Sequence, residues 1–166
     1  SNIELVLRAL SKCSLPIDLV IAGRATSHIN KLKKLTAEYN LTSRTHLLHG
    51  VAADDMPAIY SNAIAYLSTS LYTGFNYHIV EALNMGTAII ATTGTSHEEA
   101  AGPDAIYVSG EDSDALLEAI ERVTMDKELR EQMAAKGKEY AQRFRPEVIA
   151  YNILKCYNRV GIEIQE

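Results

Sequence analysis

Short apolar runs alternate along this chain with longer stretches in which apolar residues recur every three or four positions. The runs predict buried strands at residues 17–22, 45–49, 64–68, 88–91 and 105–108. Because strands that alternate with helices favour a parallel sheet covered on both faces, we predict an α/β domain with a Rossmann-like parallel sheet flanked by helices.

Apolar faces of helical period mark the segments that flank these strands. The sets are Ile3, Val6, Leu7 and Leu10 near the start of the chain and Leu116, Ala119, Ile120 and Val123 further on. Asp112 with Ser113 is expected to cap the second of these helices, and Asp126 the helix after it. Pro146 is expected to begin a final helix that ends near Val160.

The 166 residues fit one domain, and no repeat or linker divides them. We therefore predict a single domain over residues 1–166. The chain opens on a helical segment, whereas a doubly wound domain normally opens with a strand, so we expect a first strand to be missing. A permuted fold is the alternative.

Charge and cysteine content narrow the function classes. A net charge of −5 opposes binding to a phosphate backbone, so no nucleic-acid partner is expected. Cys13 and Cys156 have no metal or redox spacing and are predicted to be small hydrophobes within helical patterns. No run approaches the roughly 20 apolar residues of a membrane span, and no signal pattern opens the chain, which favours a cytosolic location.

Residues 68–86 carry the strongest functional pattern, S-T-S-L-Y-T-G-F-N-Y-H-I-V-E-A-L-N-M-G. The pattern predicts a strand, a turn at Gly74, and a helix over residues 77–85 that closes before Gly86. In an open parallel sheet, ligands bind beyond the carboxyl ends of the strands, where helix N-termini offer free N–H groups. The turn is therefore a candidate anion site, although a buried helix after a glycine turn also occurs for structural reasons alone.

Glu81 is a carboxylate in an otherwise apolar helix. Burying it without hydrogen-bond partners is costly, so it either reaches solvent or binds donors such as the two hydroxyls of a ribose. The structural alternative is an acidic side chain that complements the helix dipole.

The run from Ser70 to Gly86 resembles the signature of retaining glycosyltransferases of the GT-B fold, family 4, which is S-x-x-E-G-F-G-x-x-x-x-E-A-x-x-x-G. Residues 55–63, D-M-P-A-I-Y-S-N-A, resemble the acidic-L-P-x-x-Y-x-x-A helix of that family. Glu99 to Gly102 resembles its E-x-x-G motif. The resemblance covers nearly the whole chain and aligns it with the C-terminal domain of the family.

This resemblance implies a cleft between two domains, in which this chain binds a nucleotide-diphosphate sugar and a missing N-terminal domain binds the acceptor. It implies hexosyl transfer with retention of configuration, no cofactor and no strict need for a metal. The isolated domain is then expected to be inactive. The parent protein would be cytoplasmic and peripheral to the inner membrane, because many relatives act on membrane-borne acceptors.

The resemblance also implies roles for individual residues. The backbone at Val51 would contact the base, and backbone N–H groups at Gly74, Phe75 and Asn76 would contact the diphosphate and sugar. The Glu81 carboxylate would bind the ribose hydroxyls, and Thr87 would lie beneath the nucleotide.

The departures from the signature are as informative as the matches. Thr73 stands where the family carries its first glutamate, so the candidate catalytic position has no negative charge to offer. Asn76 replaces a glycine, and because asparagine tolerates left-handed backbone the turn is expected to survive. Thr73 and Asn76 motivate an alternative, a degenerate non-catalytic binding or assembly module. An unrelated flavodoxin-like domain is a third possibility.

Other polar residues give weaker signals. His46 and His49 lie three apart on a strand and point to opposite faces, so they are not expected to share a metal. His97 is expected to cap a short helix, and His78 is a candidate phosphate contact. Arg24 is expected to face the cleft.

Overall fold

The computed structural model describes residues 2–23 and 29–159. Within them, the strands are β1 (Leu19–Gly23), β2 (Thr45–His49), β3 (Ala65–Ser68), β4 (Ala88–Thr92) and β5 (Ile106–Val108). The helices are α1 (Ile3–Lys12), α2 (Ile29–Glu38), α3 (Met56–Asn62), α4 (Tyr77–Asn84), α5 (His97–Ala101), α6 (Ser113–Met125), α7 (Lys127–Ala141) and α8 (Pro146–Arg159).

All strand pairs are parallel, which confirms the predicted α/β class. β1 pairs with β2 in one sheet, and β3, β4 and β5 form a second sheet in that order. The predicted strands are confirmed with end shifts of one or two residues. Because neighbouring strands run the same way, their carboxyl ends meet at one edge of each sheet.

Helices cover both faces of β4, which explains why its sequence is an unbroken apolar run. Ala88 and Ile90 point into a core built with α1 and α6. Ile89 and Ala91 point into a second core built with α4. The alternation follows from the two-residue period of a strand.

Helix α1 connects the two sheets through one core. Its buried face contains Leu7 and Leu10, which belong to the same cluster as Ile90 of β4. Leu19 of β1 and Leu67 of β3 pack against that cluster. The two sheets are therefore parts of one folding unit, although no strand in the described residues joins β1 to β3.

The predicted caps are confirmed. The Asp112 carboxylate accepts hydrogen bonds from two N–H groups in the first turn of α6, and the Asp126 carboxylate accepts one from Leu129 at the start of α7. Pro146 is the first residue of α8. The predicted end of this helix at Val160 and the predicted cleft residue Arg24 lie outside the described residues.

One prediction about the cysteines is wrong. Cys13 is buried at the end of α1, as expected, but Cys156 is exposed on α8. The apolar residues of α8 do not enter either core, so a helical apolar pattern did not imply burial there. None of the described helices combines the length and the apolar composition needed to cross a membrane.

We predict that Leu7→Ala lowers the free energy of unfolding by about 2–5 kcal/mol, because the side chain is fully buried in the shared core. Amide hydrogen exchange should speed up in β1 and in β4 alike. Arg8→Ala, on the exposed side of α1, is the control and should change stability by less than about 0.5 kcal/mol. Faster exchange in only one sheet would contradict a shared core.

Candidate functional site

A loop at the carboxyl edge of the second sheet leads from β3 into α4 and borders an open depression of about 460 Å³. The opposite wall is the turn between β4 and α5. The lining residues are Leu71, Tyr72, Thr73, Gly74, Gly94 and Thr95. Thr73 and Gly74 therefore share one ligand-sized space at the edge where open α/β sheets bind ligands.

The backbone of this loop offers unpaired donors. Within the described part of the chain, the N–H groups of Gly74 and Phe75 donate no hydrogen bond. The Phe75 ring instead anchors the loop, with its centroid 5.1 Å from that of Tyr77 and 5.1 Å from that of Phe144. Free N–H groups before a helix N-terminus form the kind of site that binds an anion.

The Asn76 side chain makes hydrogen bonds to both ends of the loop. Its Oδ1 accepts a hydrogen bond from the His78 N–H at 3.2 Å, which makes Asn76 the N-cap of α4. Its Nδ2 donates to Ser68 Oγ at 2.9 Å. The Asn76 backbone is extended, with φ −97°, so the turn does not use the left-handed conformation that asparagine tolerates. The side-chain cap replaces what a glycine does through backbone freedom.

The carboxylate of Glu81 is exposed and oriented by two neighbours. Its Oε2 accepts from the Tyr60 hydroxyl at 3.1 Å and lies 2.9 Å from His78 Nδ1. Burial raises the pKa of the Tyr60 hydroxyl, and the nearby Glu81 charge raises it further. Oε1 makes no hydrogen bond within the described residues, so it remains available to a ligand.

The Tyr66 hydroxyl is partly buried and is affected by both Asn76 and Glu81. Burial raises the pKa of the Tyr66 hydroxyl, a hydrogen bond with Asn76 lowers it, and the Glu81 charge raises it. The Tyr66 ring also meets Tyr60 edge-on at 5.7 Å between centroids.

Two candidates lie away from the depression. Val51 is partly exposed after the turn at Gly50, whose N–H donates to the Gly23 carbonyl at 3.4 Å across the edge of the first sheet. Thr87 is 2% exposed at the amino end of β4, and its hydroxyl donates to the Tyr60 carbonyl at 2.7 Å. That contact gives Thr87 a structural role, joining α3 to β4.

Sequence reasoning missed the environment of His97. The residue was expected to cap a helix, but Ser96 occupies the N-cap and His97 is fully buried as the first residue of α5. Its ring contacts the side chains of Ser68 and Thr92. The neighbouring Glu98 carboxylate is exposed and accepts a hydrogen bond from the Gly94 N–H at 2.9 Å, in the turn before α5. A histidine between Ser96 and Glu98 carries no sequence signal that separates burial from capping.

The described residues contain no group of three or more histidine, cysteine, aspartate or glutamate side chains arranged to hold a metal ion. His46 contacts Asp18 across the first sheet, with 2.8 Å between Nε2 and Oδ2.

Fold and site together define an α/β domain with an open depression at the carboxyl edge of parallel strands. The chain belongs to the glycosyl transferases group 1 family, whose profile matches residues 1–140. It is 28% identical over 107 residues to O-antigen chain mannosyltransferase B of Escherichia coli. That match covers 64% of this chain and 28% of the relative, so the chain spans little more than a quarter of the relative's length.

Solved structures of glycosyltransferases share the fold. The sucrose-phosphate synthase of Thermosynechococcus elongatus superposes with a TM-score of 0.85 at 24% identity, over 96% of this chain and 42% of that one. Anabaena Alr3699/HepE in complex with UDP-glucose gives a TM-score of 0.80 at 21% identity, over 93% of this chain and 44% of that one.

We predict that Thr87→Val lowers the free energy of unfolding by about 0.5–1.5 kcal/mol, because the buried hydroxyl bond to Tyr60 is lost while the side-chain volume is kept. Thr87→Ser keeps the hydroxyl and serves as the comparison in urea denaturation. If Thr87→Val unfolds at the same urea concentration as the unmodified chain, the hydroxyl has no structural role.

Proposed function

We propose that this chain is the donor-binding half of a retaining, family-4 glycosyltransferase of the GT-B fold that uses a nucleotide-diphosphate sugar. The observation that carries the proposal is the pairing of free loop N–H groups with an exposed, oriented carboxylate at the carboxyl edge of the sheet. Membership of the glycosyl transferases group 1 family supports the reaction class. The complex of the similar Anabaena protein with UDP-glucose supports the ligand class.

In this proposal the diphosphate binds at the loop. The N–H groups of Gly74 and Phe75 donate to its oxygens, and the N-terminus of α4 adds positive potential. Binding needs little rearrangement, because Phe75 and Asn76 already hold the end of the loop. A leaving nucleoside diphosphate gains negative charge during transfer, so the same donors stabilise it as the bond to the sugar breaks.

Glu81 binds the ribose. Tyr60 and His78 both contact Oε2, which fixes the carboxylate and leaves Oε1 for the ribose hydroxyls. A charge-assisted hydrogen bond of this kind is about twice as strong as a neutral one. Val51 would contact the base from the first sheet. Thr87 would not touch the nucleotide and would contribute only by its hydrogen bond to the Tyr60 carbonyl of α3.

Thr73 borders the depression, where the transferred sugar would lie. Its hydroxyl can hydrogen-bond a sugar hydroxyl, but it cannot stabilise positive charge at the reacting carbon as a carboxylate would. Transfer therefore relies on the orientation of donor and acceptor and on the stabilised leaving group. No cofactor and no strict metal requirement are part of this proposal.

The acceptor would bind to another domain of a longer protein. Closure of a second domain over the depression excludes water and positions the acceptor, so we expect this chain alone to be inactive. In the described residues, one edge of β1 and one edge of β3 pair with no strand, and an additional strand between them would give the order expected of a Rossmann-like sheet. We also place the parent protein in the cytoplasm, peripheral to the inner membrane.

We predict that Glu81→Gln weakens UDP binding about 10- to 100-fold in isothermal titration calorimetry, because a hydrogen bond to a charged group is worth about 1.5–3 kcal/mol. GDP and ADP are titrated in parallel, and the nucleotide that binds most tightly is carried forward. The unmodified chain should prefer it to its 2′-deoxy form, and Glu81→Gln should abolish that preference.

Glu118→Gln, an equal charge change on the exposed side of α6, is the control and should bind like the unmodified chain. If Glu81→Gln and the control bind every nucleotide with equal affinity, Glu81 does not bind the ribose.

The threonine at position 73 favours one second candidate, a non-catalytic nucleotide-sugar module. In the full-length parent, our proposal predicts sugar transfer by the unmodified protein and a loss of about three- to tenfold in kcat/KM for Thr73→Val, the cost of one hydrogen bond. No transfer by the parent, combined with activity in Thr73→Glu, would establish the module instead.

A further inference from the structure

A fully buried imidazole lies beneath the loop that borders the depression. His97 Nδ1 is 3.0 Å from the Thr92 carbonyl oxygen, and Nε2 is 3.0 Å from Ser68 Oγ. A carbonyl oxygen can only accept, so Nδ1 carries the proton. Nε2 is then an acceptor, and the Ser68 hydroxyl donates to it.

The hydrogen-bond chain continues into the loop. Asn76 Nδ2 donates to Ser68 Oγ at 2.9 Å, and Asn76 Oδ1 accepts from the His78 N–H. Asn76 therefore donates to Ser68, Ser68 donates to His97, and His97 donates to the Thr92 carbonyl, which only accepts. The series joins the end of β3 to the N-cap of α4, which are the two ends of the loop.

Two further hydrogen bonds reach the loop from residues 92–97, the segment that contains His97. The Thr92 hydroxyl donates to the Ser70 carbonyl at 3.1 Å, and the Ser96 hydroxyl donates to the Gly74 carbonyl at 2.6 Å. Residues 92–97 thus contact the loop directly at Ser70 and Gly74, and they reach its end at Asn76 only through Ser68. His97 is the one member of this segment that contacts both β3 and β4 through its side chain.

We propose that His97 is a positioning residue that fixes the loop's free N–H groups in the geometry that receives the diphosphate. The inference rests on the proposed function, since it names what that loop is held to bind. An imidazole removed from water is retained only when both nitrogens have partners, and here those partners are the supports of the loop. Donors fixed before binding lose less conformational entropy when the anion arrives.

His97→Leu removes both ring contacts and keeps an apolar side chain of similar size. In the nucleotide-free chain we expect the backbone order parameters of residues 70–76 to fall from about 0.85 to below about 0.6 by ¹⁵N relaxation. The Kd for UDP should rise about tenfold or more, because the donors are no longer aligned. His97→Gln, which keeps an acceptor near the Nε2 position, should restore part of both values.

Val123→Ala is the matched control, because it opens a cavity in the core at α6 without a contact to the loop. It should lower stability and leave the order of the loop and the Kd unchanged. Should His97→Leu fail to fold, Ser68→Ala removes a single hydroxyl from the same series and should produce the same loosening.

Two results would overturn the inference. One is an order profile of residues 70–76 in His97→Leu or Ser68→Ala that matches the unmodified chain. The other is a proton on Nε2 instead of Nδ1 in long-range ¹H–¹⁵N spectra. Both are measured without nucleotide, so failure of the unmodified chain to bind UDP, GDP or ADP would count against the proposed function and not against the role of His97 in the loop.

Discussion

The structure depends on backbone N–H groups that are left without partners at the tip of β3. Backbone N–H groups are normally paired with backbone, side-chain or water acceptors, and those without a protein acceptor can donate to a bound ligand. Here the Phe75 ring and the Asn76 side chain hold the loop, and Gly74 lines the depression. The chemistry of the site follows from this arrangement, because open N–H donors select anions.

The surrounding elements explain how the loop keeps its shape. β4 is buried on both faces and ends at Thr92, directly before the turn that supports the loop. On the other side, α4 brings Glu81 to solvent while its apolar face packs into the second core. In the proposed function, this sheet carries two groups of opposite preference, donors for the phosphates and an acceptor for the ribose. Family membership supports the glycosyltransferase class, and the shared fold supports the α/β architecture.

Residues 68–86 could be interpreted from sequence because their physics is local. Continuous apolar runs predicted the parallel strands. For the Glu81 carboxylate the sequence left solvent and hydrogen-bond donors as alternatives, and in the structure the side chain is exposed and also accepts from Tyr60. The buried position of His97 could not be predicted, because its partners Ser68 and Thr92 belong to two different strands. Cys156 was wrongly predicted to be buried because periodicity reports an apolar face and not what covers that face. The conformation of Asn76 depended on a side-chain contact that its identity alone does not specify.

The most direct test of the central claim is an amide NMR titration of the unmodified chain with UDP, GDP and ADP. The account predicts that at least one nucleotide shifts the N–H signals of Gly74 and Phe75 most strongly, with further shifts at the start of α4 and at Glu81. Shifts confined to other surfaces, or none near residues 74–81 with any of the three, would contradict it.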